Sequence, residues 1–294
     1  MQGHLITFID TPGHEAFTKM RSRGASVADI ALLVVAADDS VKPQTKESID
    51  QIKAAGVSMI VVGNKVDLPA ANEDRVKQEL AKVEVQVEGF GGDVPIVLVS
   101  AKAKTGIKEL LELILLVAQM KELEGDASRP FEGVVIETRI DKGKGLVATL
   151  VVKQGTLSIG GVLFEGAKQV ARVRAMFDEF GFGVKEAGPS KPGEILGFIS
   201  LPSVGAVLRD KPKAEAFRAP VSTQKPLGVA EGQQLPDWLK PVNEQEKEKL
   251  NIVLKADTAG SLEAIMASLS PRIKIIAAAA GDIGEADILL ARGS

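Results

Sequence analysis

Over the first 120 residues the apolar pattern keeps switching between a strand-like and a helix-like period, and this alternation constrains the fold more than any other feature. Short β-rich apolar runs occupy residues 5–10, 30–36, 59–63 and 94–99, each closed by polar or glycine-containing turn chemistry. Helical patterns fill the gaps at 16–27, 42–55, 73–85 and 107–120. Strands joined through helices of this length require crossovers into a mostly parallel sheet, whose ligands bind at the carboxyl ends of the strands. The pattern changes at Phe131. Residues 133–141, 146–154, 161–165, 170–177 and 194–200 are strand-length segments with Gly-rich turns and no helical run between them, which predicts an antiparallel β-barrel. Residues 219–248, carrying Pro220, Pro226, Pro236 and Pro241, read as a linker. Strand, helix and strand patterns at 250–255, 261–269 and 273–279, with a short element at 287–291, open a third α/β unit too short to complete its own core. The expected division is therefore 1–122, 130–218, the linker 219–248, and 249–294.

Composition removes several classes of chemistry. With no cysteine among 294 residues, disulfides, thiolate metal sites and cysteine nucleophiles are excluded. Two histidines, His4 and His14, leave little material for a zinc centre. No apolar run approaches the ~20 residues of a membrane helix and the N-terminus lacks the basic-then-apolar run of a secretory signal, so a cytoplasmic protein without a membrane partner is expected; a monomer is the expected state. Net charge is −3 overall, while residues 131–218 carry a net +3, which permits an RNA partner without arguing for one.

The strand ends carry the chemistry. The first apolar run leads into Asp10-Thr11-Pro12-Gly13-His14. A carboxylate at a strand end followed by a glycine three residues later suits a nucleotide-hydrolysing site. Asp10 would reach a Mg²⁺ ion through its water, and the Gly13 N–H would meet a terminal phosphate. Taken alone, the same residues read more readily as a turn with Asp10 capping a helix. The third run ends in Asn64-Lys65-Val66-Asp67. A carboxylate at Asp67 accepts two parallel hydrogen bonds from guanine N1–H and N2–H₂, a donor pair adenine lacks. Asn64 would brace the loop and meet the N7/O6 edge, with the Lys65 stem along the base. The fourth run leads into Ser100-Ala101-Lys102, where a backbone N–H would meet guanine O6 and the lysine would cover the other face.

These three motifs resemble signatures of the translational GTPases. The longer text from residue 10 to 45, DTPGHEAFTKMRSRGASVADIALLVVAADDSVKPQT, resembles the bacterial and organellar translation initiation factor two family. So do GVVIETRIDKGKG at 133–145, RVRAMFDEFG at 172–181, VKEAGPS at 184–190 and LKADTAGSLEA at 254–264. The resemblance implies an α/β P-loop-type GTPase domain on a parallel sheet, followed by an antiparallel β-barrel and the start of a third α/β domain. It implies GTP and GDP as ligands, Mg²⁺ as cofactor, and His14 as the residue that orients the attacking water. It further implies the ribosome and its RNA as partner, with assistance to initiator tRNA binding on the small subunit and to subunit joining.

The phosphate cradle G-x-x-x-x-G-K-[ST] has no match in the chain. The expectation is therefore an internal piece of a longer factor. It would lack the first strand, P-loop and first switch, be inactive alone, and make no contact with initiator tRNA itself. A decayed, nucleotide-independent ribosome-binding module working through the barrel is the alternative, and another translational GTPase such as an elongation factor is the third. Lys19, Arg21 and Arg23 read either as contacts to RNA phosphates or as a solvated helix face. Lys142 and Lys144 read as barrel-turn residues facing RNA or solvent. Phe177, Phe180 and Phe182 read as packing residues, and Trp238 as a residue docked on a neighbouring domain.

Overall fold

A computed structural model of the chain describes residues 5–13, 17–39, 41–212 and 250–293. The expected linker 219–248, with Trp238, lies outside the described residues, as does His14.

The first part is a three-stranded parallel sheet in the order β1-β2-β3, built from Ile30–Ala36, Ser58–Asn64 and Ile96–Leu98. Its strands are joined through α2 (Pro43–Ala55) and α3 (Glu73–Lys82), while α1 (Thr18–Val27) precedes the sheet and α4 (Ile107–Met120) follows it. Local chemistry sets the helix ends. Proline stands in the first turn of α2 and Gly56 closes it in a left-handed conformation, φ 66°. Asn72 caps α3 by accepting from Arg75 N at 3.0 Å, and Glu73 and Asp74 complement the helix dipole. The period of two in β2 sends alternate residues to opposite faces. Val61 joins Leu33, Val35, Ile49, Ile52, Val76 and Leu80 on one side, and Ile60 joins Ile114 and Val117 of α4 on the other. Burying each such side chain contributes about 1.5–3 kcal/mol, so the two half-cores fix β2 in the centre and place its carboxyl end at the sheet's rim.

Residues 5–10 depart from expectation: the apolar run forms no strand. A strand exists only when a neighbour accepts and donates its backbone hydrogen bonds, and among the described residues β1 pairs with β2 alone. Leu5 and Phe8 stay exposed, Ile6 packs against the Ile60 cluster, and Thr7 Oγ1 donates to the Ser190 carbonyl of the barrel.

The barrel is all antiparallel and closes on itself. Its six strands are β4 (Glu132–Asp141), β5 (Gly145–Gln154), β7 (Val162–Glu165), β8 (Lys168–Phe177), β11 (Pro192–Phe198) and β12 (Val207–Arg209). They run in the ring β4-β5-β11-β8-β7-β12 and back to β4. Val135, Leu150, Leu163, Met176, Ile195 and Leu208 fill the interior with side chains fully removed from water, and closure removes the sheet edges. The three-residue β12 is too short to show periodicity. So are β6 (Leu157–Ser158) and β10 (Glu186–Ala187), which pair with each other, and β9 (Gly183–Val184), which folds back to pair antiparallel with the end of β8.

Phe180 and Phe182 contradict the packing expectation. Both backbone N–H groups donate to Asp178 Oδ1, at 3.0 and 2.8 Å, in a turn that projects both rings outward, 76% and 70% exposed. Lys144, 40% exposed, is engaged within the barrel. It pairs with Glu194 at 2.7 Å and lies over the Phe177 ring, while Lys142 pairs with Asp282 at 3.0 Å.

The last part is a parallel pair, β13 (Leu250–Ala256) and β14 (Ile273–Ala280), with α5 (Ala259–Ser268) between them and α6 (Glu285–Arg292) after. It docks on both preceding parts. Met20 of α1 rests so closely on Gly260 of α5 that a Cβ there would overlap the methionine methyl group. Arg139 of β4 bridges Thr258, whose hydroxyl caps α5 by accepting from Ser261 N at 3.2 Å.

Candidate functional site

Two of the three sequence motifs meet at the carboxyl ends of β2 and β3. The Asn64 side chain ties them together. Its Oδ1 accepts from Lys65 N at 2.7 Å and from Ala101 N at 3.1 Å, so one amide braces both loops. That brace accompanies an uncommon backbone: Lys65 adopts φ 68°, a left-handed conformation costly for a side-chain-bearing residue. Lys65 Nζ lies 3.5 Å from Asp38 at the end of β1, which orients the lysine stem across the rim.

Ser100 holds Asp67. Its fully buried hydroxyl donates to Asp67 Oδ1 at 2.6 Å and accepts from Ala103 N at 3.0 Å. The Ser100 hydrogen bond holds the Asp67 carboxyl below the usual aspartate range, with a smaller contribution from the Lys102 charge. An ionised carboxylate offers about four lone-pair positions, so Asp67, itself exposed, keeps capacity for a further planar donor pair. The loop closes where Ser100 and Thr105 exchange backbone hydrogen bonds and Gly106 opens α4 at φ 75°. A Cβ at Gly106 would come within 2.2 Å of the Leu98 carbonyl oxygen, so this position requires glycine.

The third motif stands apart from these two. Asp10, Thr11, Pro12 and Gly13 form a loop leading toward α1, with Asp10 and Gly13 exposed. A Cβ added at Gly13 would meet nothing within 4 Å, so there is room for a group to approach its backbone. Among the described residues, no group of three or more His, Asp or Glu side chains could hold a metal ion. Mg²⁺ characteristically takes one or two carboxylates plus substrate phosphates. Asp10 supplies one exposed carboxylate in this loop, within the number such an ion takes.

Arg21 and Arg23, expected on a solvated face or against RNA, are engaged within the chain. Arg21 is only 7% exposed and pairs with Glu47 of α2 at 2.6 Å. Arg23 pairs with Glu263 of α5 at 2.7 Å. No periodic signal marks either acidic partner in the sequence. The Lys19 side chain lies outside what the structure describes.

Residues 1–120 match the family described as Elongation factor Tu GTP binding domain, and residues 130–211 match Elongation factor G domain 2. Fold and matches together define a chain of the translational GTPase class: a parallel α/β GTP-binding-domain region, a six-stranded antiparallel barrel, and a small α/β segment. Residues 227–294 match Translation-initiation factor 2. The chain is 46% identical over 301 residues to Translation initiation factor IF-2 of Caldanaerobacter subterraneus subsp. tengcongensis, covering 98% of this chain and 42% of the relative. It is 48% identical over 306 residues to the same factor of Geobacillus thermodenitrificans, covering 100% of this chain and 42% of the relative. The chain belongs to the translation initiation factor IF-2 family, and it spans less than half the length of these relatives. Among solved structures it is similar to GDP-bound aIF5B from Aeropyrum pernix, with TM-score 0.58 and 26% identity over 97% of this chain and 55% of that one. No helix among the described residues is long and apolar enough to cross a membrane.

Proposed function

We propose that this chain supplies the guanine-reading part of a GTP-hydrolysing translation initiation factor. The whole factor would act on the ribosome, assisting initiator tRNA binding to the small subunit and subunit joining. The observation that carries this reading is the Ser100–Asp67 hydrogen bond at 2.6 Å beside the Asn64 brace. It presents an ionised, oriented acceptor where two strand ends meet. In the proposed site, Asp67 accepts from guanine N1–H and N2–H₂, and the Ala101 region of the Ser100–Lys102 loop meets O6. Asn64 holds the two loops in register, and Lys65 and Lys102 flank the ring. Asp10, Thr11, Pro12 and Gly13 face the phosphate end, with the Gly13 N–H toward the terminal phosphate. His14 orients the attacking water. Mg²⁺, when bound with the nucleotide, would neutralise charge on the transferred phosphoryl group, and Asp10 would meet its hydration shell.

We further propose the four-part division 1–122, 130–218, 219–248 and 249–294, with the cytoplasm as compartment and a monomer as the working state. The test is titration of the intact factor with fluorescent GDP, competed by unlabelled GDP and ADP. Guanine-selective, Mg²⁺-dependent binding is expected. Equal competition by the two nucleotides would instead favour a ribosome-binding module that reads no base.

A further inference from the structure

Arg21 lies in neither the base-reading loops nor the phosphate-facing loop, yet its guanidinium holds the latter in place. It projects from α1 into a nearly dry environment, 7% exposed, and its two terminal nitrogens reach different elements. Nη1 donates to the Pro12 carbonyl at 3.2 Å. Nη2 donates to Glu47 Oε2 at 2.6 Å and to Thr18 Oγ1 at 3.3 Å. Glu47 is fixed in turn by Gln51 one turn along α2, whose amide nitrogen lies 3.3 Å from Glu47 Oε1 and 3.4 Å from the Thr18 carbonyl. The rigid fork of one guanidinium thus joins the loop at Pro12, the first turn of α1 and the body of α2. Pro12 directly precedes Gly13. Its carbonyl belongs to the same peptide unit as the Gly13 N–H, so fixing that oxygen fixes the direction in which the N–H points.

We propose that Arg21 is a positioning residue that aims the Gly13 N–H at the terminal phosphate, with Glu47 as its anchor. The assignment rests on the guanine-nucleotide reading above. Only GTP carries a phosphate at that place, so Arg21 contributes to affinity for GTP and not for GDP. A lysine preserves the charge opposite Glu47 but lacks the planar fork that serves Pro12, Thr18 and Glu47 together. The ion pair and the peptide-orienting bond are therefore separable.

The experiment measures GDP and a non-hydrolysable GTP analogue on the intact factor carrying Arg21→Lys, Arg21→Gln or Glu47→Gln, alongside melting temperature. Arg21→Lys is expected to lower analogue affinity about tenfold while GDP affinity and melting temperature hold. Arg21→Gln is expected to give the same loss together with reduced stability. Glu47→Gln, which leaves the bond to Pro12 available, is expected to fall between wild type and Arg21→Gln. A wild-type ratio of GTP-analogue to GDP affinity in Arg21→Lys would overturn the assignment, whatever happens to stability, and would leave the guanine reading intact. Failure of the unaltered factor to prefer guanine nucleotides would remove the reading and the assignment together. If Arg21→Gln does not fold, Arg21→Lys decides.

Discussion

Arg23 and Glu263, 240 residues apart in the chain, meet through two parallel contacts: Nη1 to Oε2 at 2.7 Å and Nη2 to Oε1 at 2.9 Å. The pair ties α1, which follows the loop at residues 10–13, to α5 of the last segment. The Nη2–Oε1 contact is a charge-assisted hydrogen bond, and the Nη1–Oε2 approach adds ion-pair attraction without hydrogen-bond geometry. Solvent screening limits it, because both side chains remain about a third exposed. A double-mutant cycle with Arg23→Ala and Glu263→Ala is expected to give a coupling energy of about 1 kcal/mol. Additive single effects would mean that the contact contributes nothing to docking.

Asp67, proposed to read the base, has a pH signature. The Ser100 hydrogen bond depresses the Asp67 pKa in the folded chain. Its stabilising contribution is therefore complete above the ordinary aspartate value of about 3.9 and is lost as pH falls through the lower, folded-state value. Ser100→Ala is expected to move the Asp67 titration upward, so that guanine binding fails at a higher pH than in the unaltered protein. Carboxyl-carbon NMR titration alongside GDP binding reads both effects. An unmoved Asp67 titration in Ser100→Ala would refute the assigned cause.

Gly106 is expected to tolerate no side chain. Its φ of 75° and the 2.2 Å approach of a Cβ to the Leu98 carbonyl combine backbone strain with a hard clash. Gly106→Ala should destabilise the parallel α/β part by about 2–4 kcal/mol and weaken GDP binding by displacing the Ser100–Lys102 loop. The barrel, whose core is separate, should keep its own transition. Thermal unfolding followed at two probes, one in each part, checks this, and an unchanged midpoint for the α/β part would contradict it.

The meeting of Asn64, Asp67 and Ser100, the residues proposed to read the base, was legible in the sequence because each closely follows an apolar run. Asn64 ends β2, and Asp67 and Ser100 lie within three residues of strand ends. Pattern and place coincide there, so residue type alone conveys the chemistry. Residues 5–10 were misread because a strand belongs to a pair, and a period of two cannot say whether a neighbour is present. Arg21 and Arg23 were misread because their partners, 26 and 240 residues away, become neighbours only through packing. Residue type beside turn glycines points to packing for Phe180 and Phe182, whereas the Asp178 turn decides their direction. The sixth barrel strand, β12, is three residues long and visible only through its register with Val134 and Gly133 of β4.

The central claim is that Asp67 selects the base, and its most direct test is exchange of acceptor for donor. Asparagine at this position presents an N–H where the carboxylate presented an oxygen. It suits xanthine, whose 2-position carries a carbonyl oxygen in place of guanine's amino group. In the intact factor, Asp67→Asn is expected to lose about 10–100-fold in GDP affinity and to gain affinity for xanthosine diphosphate, with Asp67 unaltered giving the opposite order. If Asp67→Asn binds GDP as tightly as before and ignores xanthosine diphosphate, Asp67 does not read the base.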